Sequence, residues 1–218
     1  MHLVPRDVSN GALITIWGVL TILSIVSIYI PTLSMMSLHG KLASAIKSRW
    51  LIPKTWFFHF YIYAVASLCV FRSIAFGVTG LFLFHVLRRL FEEVYFFPNH
   101  RPGRRMHTVA YLFSFVYYTA VVFTLGTTVL SFELFWVSSC VQFLVHRDLY
   151  LARLSGRVPK NAPKTFWFKY MNCPHYLCEM LIYLSLTSID DLASVSLLGF
   201  VLVSLSVNWR NHSLWYKR

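Results

Sequence analysis

Four segments of the chain carry two polar residues spaced four positions apart. The pairs are His85 with Arg89, Gln142 with His146, His175 with Glu179, and His212 with Tyr216. In an α-helix this spacing places both side chains on one face. Together such faces offer hydrogen-bond donors, exchangeable protons and positive potential. This donor set suits a ligand with an anionic head and a reacting end, such as a nicotinamide dinucleotide, an acyl-CoA or a methyl donor.

The elements that must position these pairs are apolar helices. Hydrophobic residues make up 57% of the 218-residue chain and charged residues only 13%, which is far more apolar than a soluble domain. The sequence predicts an all-α integral membrane protein, a single domain over residues 1–218 with about seven transmembrane helices. The approximate spans are Gly11–Ile30, Trp56–Phe71, Ser73–Phe91, Met106–Thr127, Leu130–Leu149, Pro174–Ile189 and Leu192–Trp209.

The basic residues sort to one side of this predicted topology. All Lys and Arg residues except Arg6 and Arg72 fall on the same side as the carboxyl terminus. By the positive-inside rule that side is cytosolic, and the four polar pairs then lie near the cytosolic ends of their helices. The net charge of +12 therefore indicates membrane topology and attraction to anionic headgroups, and we predict no nucleic-acid partner.

Cysteine and histidine spacing gives no sign of a metal site or a disulfide framework. The four cysteines, Cys69, Cys140, Cys173 and Cys178, include no CxxC pair, so we expect reduced core residues. The HxxxE spacing of His175 and Glu179 could chelate a metal, but no HxxH or HxxxH pair accompanies it, and we predict none. The first ten residues lack the features of a signal peptide, so the first span is expected to remain.

Aromatic residues are dense in WFFHFYIY, residues 56–63, and in YLFSFVYY, residues 111–118. Such residues form interface belts and packing layers in membrane proteins, or they could line a channel for a long unsaturated chain. His59 is a single polar group among the rings, and we expect it to need a hydrogen-bond partner.

Five segments in order resemble the steroid 5α-reductase family, and within it the polyprenal reductase branch of dolichol synthesis. They are IPKTWFFHFY from Ile52, HVLRRLFEEVYF from His85, MHTVAYLFSFVYY from Met106, WFKYMNCPHYLCEMLIY from Trp167, and HSLWY from His212 to Tyr216. The similarity covers about residues 52–216. It implies a seven-helix enzyme of the endoplasmic reticulum membrane that binds NADPH at the cytosolic side.

The resemblance also implies roles for individual residues. The cofactor-binding candidates are Gln142, His146, Arg153, His175, Tyr176, Glu179, Arg89 and Asn208. Glu179 matches the position expected at the nicotinamide carboxamide. The catalytic candidates are His212, Tyr216, His59 and Tyr61. Among these, His59, Tyr61 and Tyr216 are alternative acids, and the sequence does not choose between them.

Departures from the steroid-reducing members indicate a different substrate. His59 and Phe60 stand where those enzymes carry a Gln-Glu pair, and Val86 stands where they carry a substrate-binding Tyr. A steroid 3-ketone is therefore not expected, and the resemblance implies a long-chain polyprenyl lipid as substrate. Hydride addition to its first double bond requires conjugation to a carbonyl, because the negative charge must reach an oxygen.

Three alternative functions fit the same features. A trans-2-enoyl-CoA reductase of fatty acid elongation would use the same hydride chemistry. A non-catalytic lipid-binding relative is compatible with Thr165, which replaces the family's Gly, and with the end of the chain two residues after Tyr216. A phospholipid or prenylcysteine methyltransferase would also gather polar groups at the cytosolic ends of membrane helices.

Overall fold

The computed structural model describes residues 6–30, 33, 39–40, 50–72, 77–96, 105–154 and 165–216. Within these residues the side chains of 6–9, 39–40, 54, 153 and 215–216 are not described. The described elements are α1 (Arg6–Val26), β1 (His39–Gly40), β2 (Leu51–Pro53), a 3-10 helix (Lys54–Phe57), α2 (Phe58–Phe71), α3 (Val78–Tyr95), β3 (Arg105–His107), α4 (Thr108–Thr124), α5 (Phe132–Leu154), α6 (Phe166–Tyr170), α7 (Pro174–Ser185) and α8 (Leu192–Tyr216).

The fold is all-α, with eight α-helices in the described part of the chain. Seven of them overlap the seven predicted spans, and α6 is an additional short helix. The chain divides into two compact units, one formed by Met1–Thr21 with Gly126–Arg218 and the other by Ile22–Leu125. The prediction of a single domain stays a prediction.

One described helix is both long and apolar enough to cross a bilayer, Leu192–Leu214, with 23 residues. Three shorter stretches are helical and apolar: Asn10–Val26, Thr55–Phe71 and Thr108–Thr124. The helix α7 has only 12 residues, which is about 18 Å of helix against a hydrocarbon core of about 30 Å. Among the described residues, length and hydropathy together therefore identify one clear candidate span.

The early end of α7 has a local cause. The prediction carries this helix to Ile189, but the chain turns after Ser185. The amide of Ser188 donates to the hydroxyl of Ser194 at 3.0 Å, and the carboxylate of Asp191 accepts from the amide of Ala193 at 3.1 Å. Ser194 thus satisfies an amide of the turn, and Asp191 satisfies an amide at the start of α8 as an N-capping residue does. The polar turn is therefore favoured over a longer α7.

In the unit that contains the carboxyl terminus, α7 packs against both α5 and α8. The pairing of α5 with α7 is antiparallel. The amide of Leu130, just before α5, donates to the carbonyl of Ser185 at the end of α7 at 2.9 Å, whereas Gln142 reaches the beginning of α7. Near the amino terminus, Trp17 stacks on Phe200 of α8 with ring centroids 5.5 Å apart.

In the unit formed by residues 22–125, α2 packs against α3 and α4. A small antiparallel sheet with the strand order β1-β3-β2 joins the beginnings of two of these helices. Leu51 pairs with His107, and Pro53 pairs with Arg105. Because β2 leads through the 3-10 helix into α2 and β3 leads directly into α4, this sheet fixes where both helices start. No pattern in the sequence predicted these strands.

Candidate functional site

Gln142 is the centre of a polar contact between α5 and α7. Its side chain is 1% exposed. Its amide nitrogen donates to the Glu179 carboxylate at 2.5 Å and to the backbone carbonyl of His175 at 3.1 Å. The antiparallel packing of α5 and α7 brings these residues together although they are more than thirty positions apart. The bond to the carboxylate is charge-assisted and therefore stronger than a neutral one, and the two bonds together fix the orientation of the amide.

Two pairs of aromatic rings extend this contact within the same unit. The imidazoles of His146 and His175 lie with their centroids 5.7 Å apart. The ring of Tyr176 lies 5.8 Å from that of His212 on α8. The amide of Asn172 also donates to the hydroxyl of Ser213 at 3.4 Å, which ties the segment before α7 to α8.

The structure thus brings together six predicted site residues on three helices. They are Gln142, His146, His175, Tyr176, Glu179 and His212. We call this set the α5–α7–α8 cluster. Asn208 lies one helical turn before His212 and is half-buried. Arg153 and Tyr216 lie in the last turns of α5 and α8, and their side chains are outside the described part of the structure.

The remaining predicted site residues lie in the unit formed by residues 22–125. The guanidinium of Arg89 donates to the Tyr61 hydroxyl at 3.2 Å and lies over its ring, 5.6 Å from the centroid. The imidazole Nδ1 of His59 lies 3.0 Å from the Tyr111 hydroxyl, which supplies the partner that the sequence analysis required. His59 and Tyr61 therefore both contact α4, through Tyr111 and Tyr118 respectively, and Tyr61 also contacts Arg89 of α3.

Glu92 is a residue that the sequence analysis missed. Its side chain is fully buried, and its two oxygens accept from Arg88 and from Arg89. Arg88 also donates to the imidazole of His85 at 3.2 Å. The signal was present in the segment RRLFE, because spacings of three and four residues place the carboxylate over both guanidiniums on a helix. We call these four residues with Tyr61 the α2–α3 charge cluster.

The thiol of Cys173, directly before α7, is expected to be unreactive. Burial raises the pKa of its thiol to about 12, because the thiolate would lose its hydration. All four cysteines are free in the structure. Among the residues that the structure describes, no three His, Cys, Asp or Glu side chains gather as they would around a metal ion.

The α5–α7–α8 cluster has the chemistry to hold a planar amide. A carboxylate beside a fixed primary amide offers acceptors for an NH₂ group and an amide oxygen for a second bond. The imidazoles and the phenol nearby add groups that can donate to ribose or phosphate oxygens. This combination of acceptors and donors fits the carboxamide and the ribose and phosphate groups of a nicotinamide cofactor.

Comparison with known proteins identifies the family. Residues 78–218 match the family model described as 3-oxo-5-alpha-steroid 4-dehydrogenase. The chain is 25% identical to the polyprenal reductase of Saccharomyces cerevisiae over 182 residues, which is 78% of this chain and 69% of that protein. It is 24% identical to polyprenal reductase 1 of Arabidopsis thaliana, covering 95% of this chain and 91% of that protein.

These matches confirm the resemblance found in the sequence. The family consists of membrane-bound oxidoreductases that act on carbon–carbon double bonds, and its members use NADPH. The family model covers both polar helix pairs of the α5–α7–α8 cluster and the RRLFE segment. The chain belongs to the 3-oxo-5-alpha-steroid 4-dehydrogenase family, also called the steroid 5α-reductase family.

Proposed function

We propose that this protein reduces the conjugated double bond of a polyprenal, a long-chain prenyl aldehyde, with NADPH as the reductant. The observation that carries the proposal is the bond from Gln142 to Glu179 in the centre of the α5–α7–α8 cluster. The two similar polyprenal reductases support the choice of a prenyl substrate. We further propose that the protein resides in the endoplasmic reticulum membrane, with this cluster toward the cytosol.

The residues of the α5–α7–α8 cluster would bind and orient the cofactor. Glu179 would accept from the carboxamide NH₂ group, and Gln142 would keep the Glu179 carboxylate in place. His146, His175, Tyr176 and His212 would complete the walls, and Arg153 and Asn208 are further candidates for its ribose and phosphate groups. NADPH supplies a hydride for the β-carbon of the enal.

The protein must then stabilise the oxygen on which negative charge develops. A fixed hydrogen-bond donor at the substrate carbonyl lowers the barrier, because it interacts more strongly with the enolate than with the ground state. His59, Tyr61 and Tyr216 are candidates for this contact. The α-carbon finally takes a proton, which completes the addition of two hydrogens across the double bond.

Purified protein in lipid nanodiscs tests the proposal. We expect oxidation of NADPH when a polyprenal is added and formation of the saturated aldehyde, detected by mass spectrometry. A trans-2-enoyl-CoA offered under the same conditions separates the two reductase hypotheses. Faster turnover of the enoyl-CoA would replace the proposed substrate, and binding of the prenyl lipid without any NADPH binding would favour a non-catalytic relative.

A further inference from the structure

The buried face of α5 is mostly polar. The described side chains of α5 that are buried are Phe135, Ser138, Ser139, Gln142, Val145 and His146. Their spacing of three or four residues places them on one face of the helix, and four of the six are polar. Polar side chains inside an apolar helix bundle are costly unless they form hydrogen bonds, so this face requires partners.

Two of these polar groups have hydroxyls that are not yet used. Ser138 is 3% exposed and Ser139 is 2% exposed, and neither hydroxyl has a hydrogen-bond partner in the part of the chain that the structure describes. A serine inside a helix can bond the carbonyl four residues earlier, as Ser196 does with Leu192 at 2.8 Å. Because Ser138 and Ser139 make no such bond, both hydroxyls can donate to a ligand.

The two hydroxyl groups lie about one helical turn from the contact between Gln142 and Glu179. Ser138 and Ser139 precede Gln142 by four and three residues, which is about 5 Å along the axis of α5. Because α5 and α7 are antiparallel, the serines lie farther from the beginning of α7 than Gln142 does. All four residues belong to the unit that contains the carboxyl terminus.

A nicotinamide carboxamide has one polar atom that Gln142 and Glu179 do not bind. The carboxamide carries an NH₂ donor and a carbonyl oxygen acceptor. An ionised Glu179 offers only acceptors, and the amide nitrogen of Gln142 already donates to Glu179 and to the carbonyl of His175. The carbonyl oxygen of the ligand therefore needs a donor from another residue, because an unsatisfied buried acceptor weakens binding.

We propose that Ser138 and Ser139 donate to the carbonyl oxygen of the nicotinamide carboxamide. This inference rests on the proposed function and adds two residues to the cofactor site. Two hydroxyl donors match the two lone pairs of a carbonyl oxygen. A carboxamide that is held by Glu179 at its NH₂ group and by the serines at its oxygen cannot rotate, so the nicotinamide ring keeps one orientation toward the substrate.

The ring residues of the α5–α7–α8 cluster are less suited to this contact. His146 lies one turn from Gln142 in the opposite direction along α5, and its ring is close to that of His175 at the beginning of α7. The rings of Tyr176 and His212 lie near each other, also toward helix ends. These positions suit the ribose and phosphate groups, whereas the nicotinamide ring, which is less polar, belongs deeper between the helices.

Stability and binding should respond differently in the double variant Ser138→Ala/Ser139→Ala. Removing two buried hydroxyls that bond nothing in the described structure should leave the Tm of the cofactor-free protein equal to that of wild type or higher. NADPH should bind at least about fivefold more weakly, and the rise in Tm that NADPH causes should be smaller. Calorimetric titration and thermal unfolding of the purified protein in detergent measure these effects.

Ser185→Ala is the matched control. The hydroxyl of Ser185 is fully buried in the same unit, but it donates to the carbonyl of Ile182 at 2.6 Å. Loss of this bond should lower the Tm, while NADPH affinity should stay within about twofold of that of wild type. The control therefore separates loss of a buried structural hydroxyl from loss of a ligand contact.

A cofactor analogue identifies the atom that the serines bind. In the reduced 3-acetylpyridine analogue of NADPH, a methyl group replaces the NH₂ group and the carbonyl oxygen remains. The double serine variant should bind NADPH and the analogue more weakly by similar factors, whereas Glu179→Ala should weaken the binding of NADPH much more than that of the analogue.

Three results would overturn the inference and leave the proposed function standing. They are wild-type NADPH affinity in the double serine variant, weaker NADPH binding with unchanged binding of the analogue, and a Tm of the double variant at or below that of Ser185→Ala. A wild-type protein that binds no NADPH would overturn both the inference and the proposed function.

Discussion

The Gln142 amide donates to the Glu179 carboxylate at 2.5 Å although the two residues lie on different helices. Gln142 is buried and Glu179 is half-buried. The pair therefore combines an amide that is held in place away from water with a carboxylate that a ligand can reach. A polar pair of this kind is costly in an apolar helix bundle unless it serves a purpose.

Replacing Glu179 or His212 by alanine should abolish reduction while leaving membrane insertion intact. Both side chains belong to the α5–α7–α8 cluster and neither is fully buried, so the helices should still pack. NADPH-dependent reduction of polyprenal in microsomes is the measurement. Glu133→Ala is the matched control, because Glu133 is exposed on α5 and bonds Ser131. Wild-type turnover in both variants would reject these assignments.

Truncation of Glu92 should destabilise the protein strongly. Glu92→Ala leaves the guanidiniums of Arg88 and Arg89 without their shared buried carboxylate, and breaking a buried ion pair in this way costs about 3 to 5 kcal/mol. Thermal unfolding in detergent, followed by circular dichroism, measures the loss. Glu93→Ala alters the neighbouring, half-buried carboxylate and should have a much smaller effect. Equal Tm values for the two variants would show that the charge cluster contributes little.

Gly126 is required by close packing against Ser188. A Cβ atom at position 126 would lie 2.6 Å from the Cβ of Ser188 and still closer to its hydroxyl. That hydroxyl also contacts the side chain of Thr128 at 3.0 Å. Gly126→Ala should therefore destabilise by about 1 to 3 kcal/mol, as overpacking does.

Gly199→Ala is the control for this effect. Position 199 lies inside α8, and among the described residues a Cβ atom there would meet nothing within 4 Å apart from its chain neighbours and the backbone of its own helix. Alanine should stabilise the helix there by up to about 1 kcal/mol. A Tm for Gly126→Ala at or above that of wild type would show that the chain relieves the contact without cost.

The sequence predicted the helices and the grouping of polar residues better than it predicted the connections. The four-residue spacing of His175 and Glu179 indicated one helix face. In the structure Gln142 bonds the Glu179 carboxylate and the backbone carbonyl of His175, and the His175 ring lies near that of His146 on the same neighbouring helix. The spacing of residues along a helix depends only on local geometry, so the sequence alone could predict that these two residues share a face. The partner of His59, by contrast, is Tyr111, 52 residues away, and no local pattern identifies it.

Two further features left no readable pattern in the sequence, one because distant segments pair and the other because a few side chains satisfy a turn. The strands β1, β2 and β3 are two or three residues long and form only because distant segments pair, so strand propensity gives no signal. The helix α7 ends at Ser185 because hydroxyl and carboxylate groups satisfy the turn before α8. Hydropathy averaged over a window of about 20 residues does not detect such a turn.

Cys173 should be alkylated slowly, and its rate of alkylation should show no inflection near the pKa of an ordinary thiol. Burial raises the pKa of its thiol to about 12, so the reactive thiolate should remain scarce from pH 7 to 10, whereas an ordinary thiol titrates near about 8.5. Alkylation by iodoacetamide at each pH, located by peptide mass spectrometry, measures this. Cys173 alkylated in the unfolded protein is the reference. A rise in rate centred near pH 8.5 in the folded protein would contradict the raised pKa.

The most direct test of the central claim is calorimetric titration of the purified protein with NADPH. Wild type should bind, and Gln142→Leu should bind at least about 10-fold more weakly, because a hydrogen bond to a charged group contributes about 1.5 to 3 kcal/mol. Glu133→Gln should bind as wild type does. Equal NADPH affinity of wild type and Gln142→Leu, or no binding by wild type, would contradict a nicotinamide site built around Gln142 and Glu179.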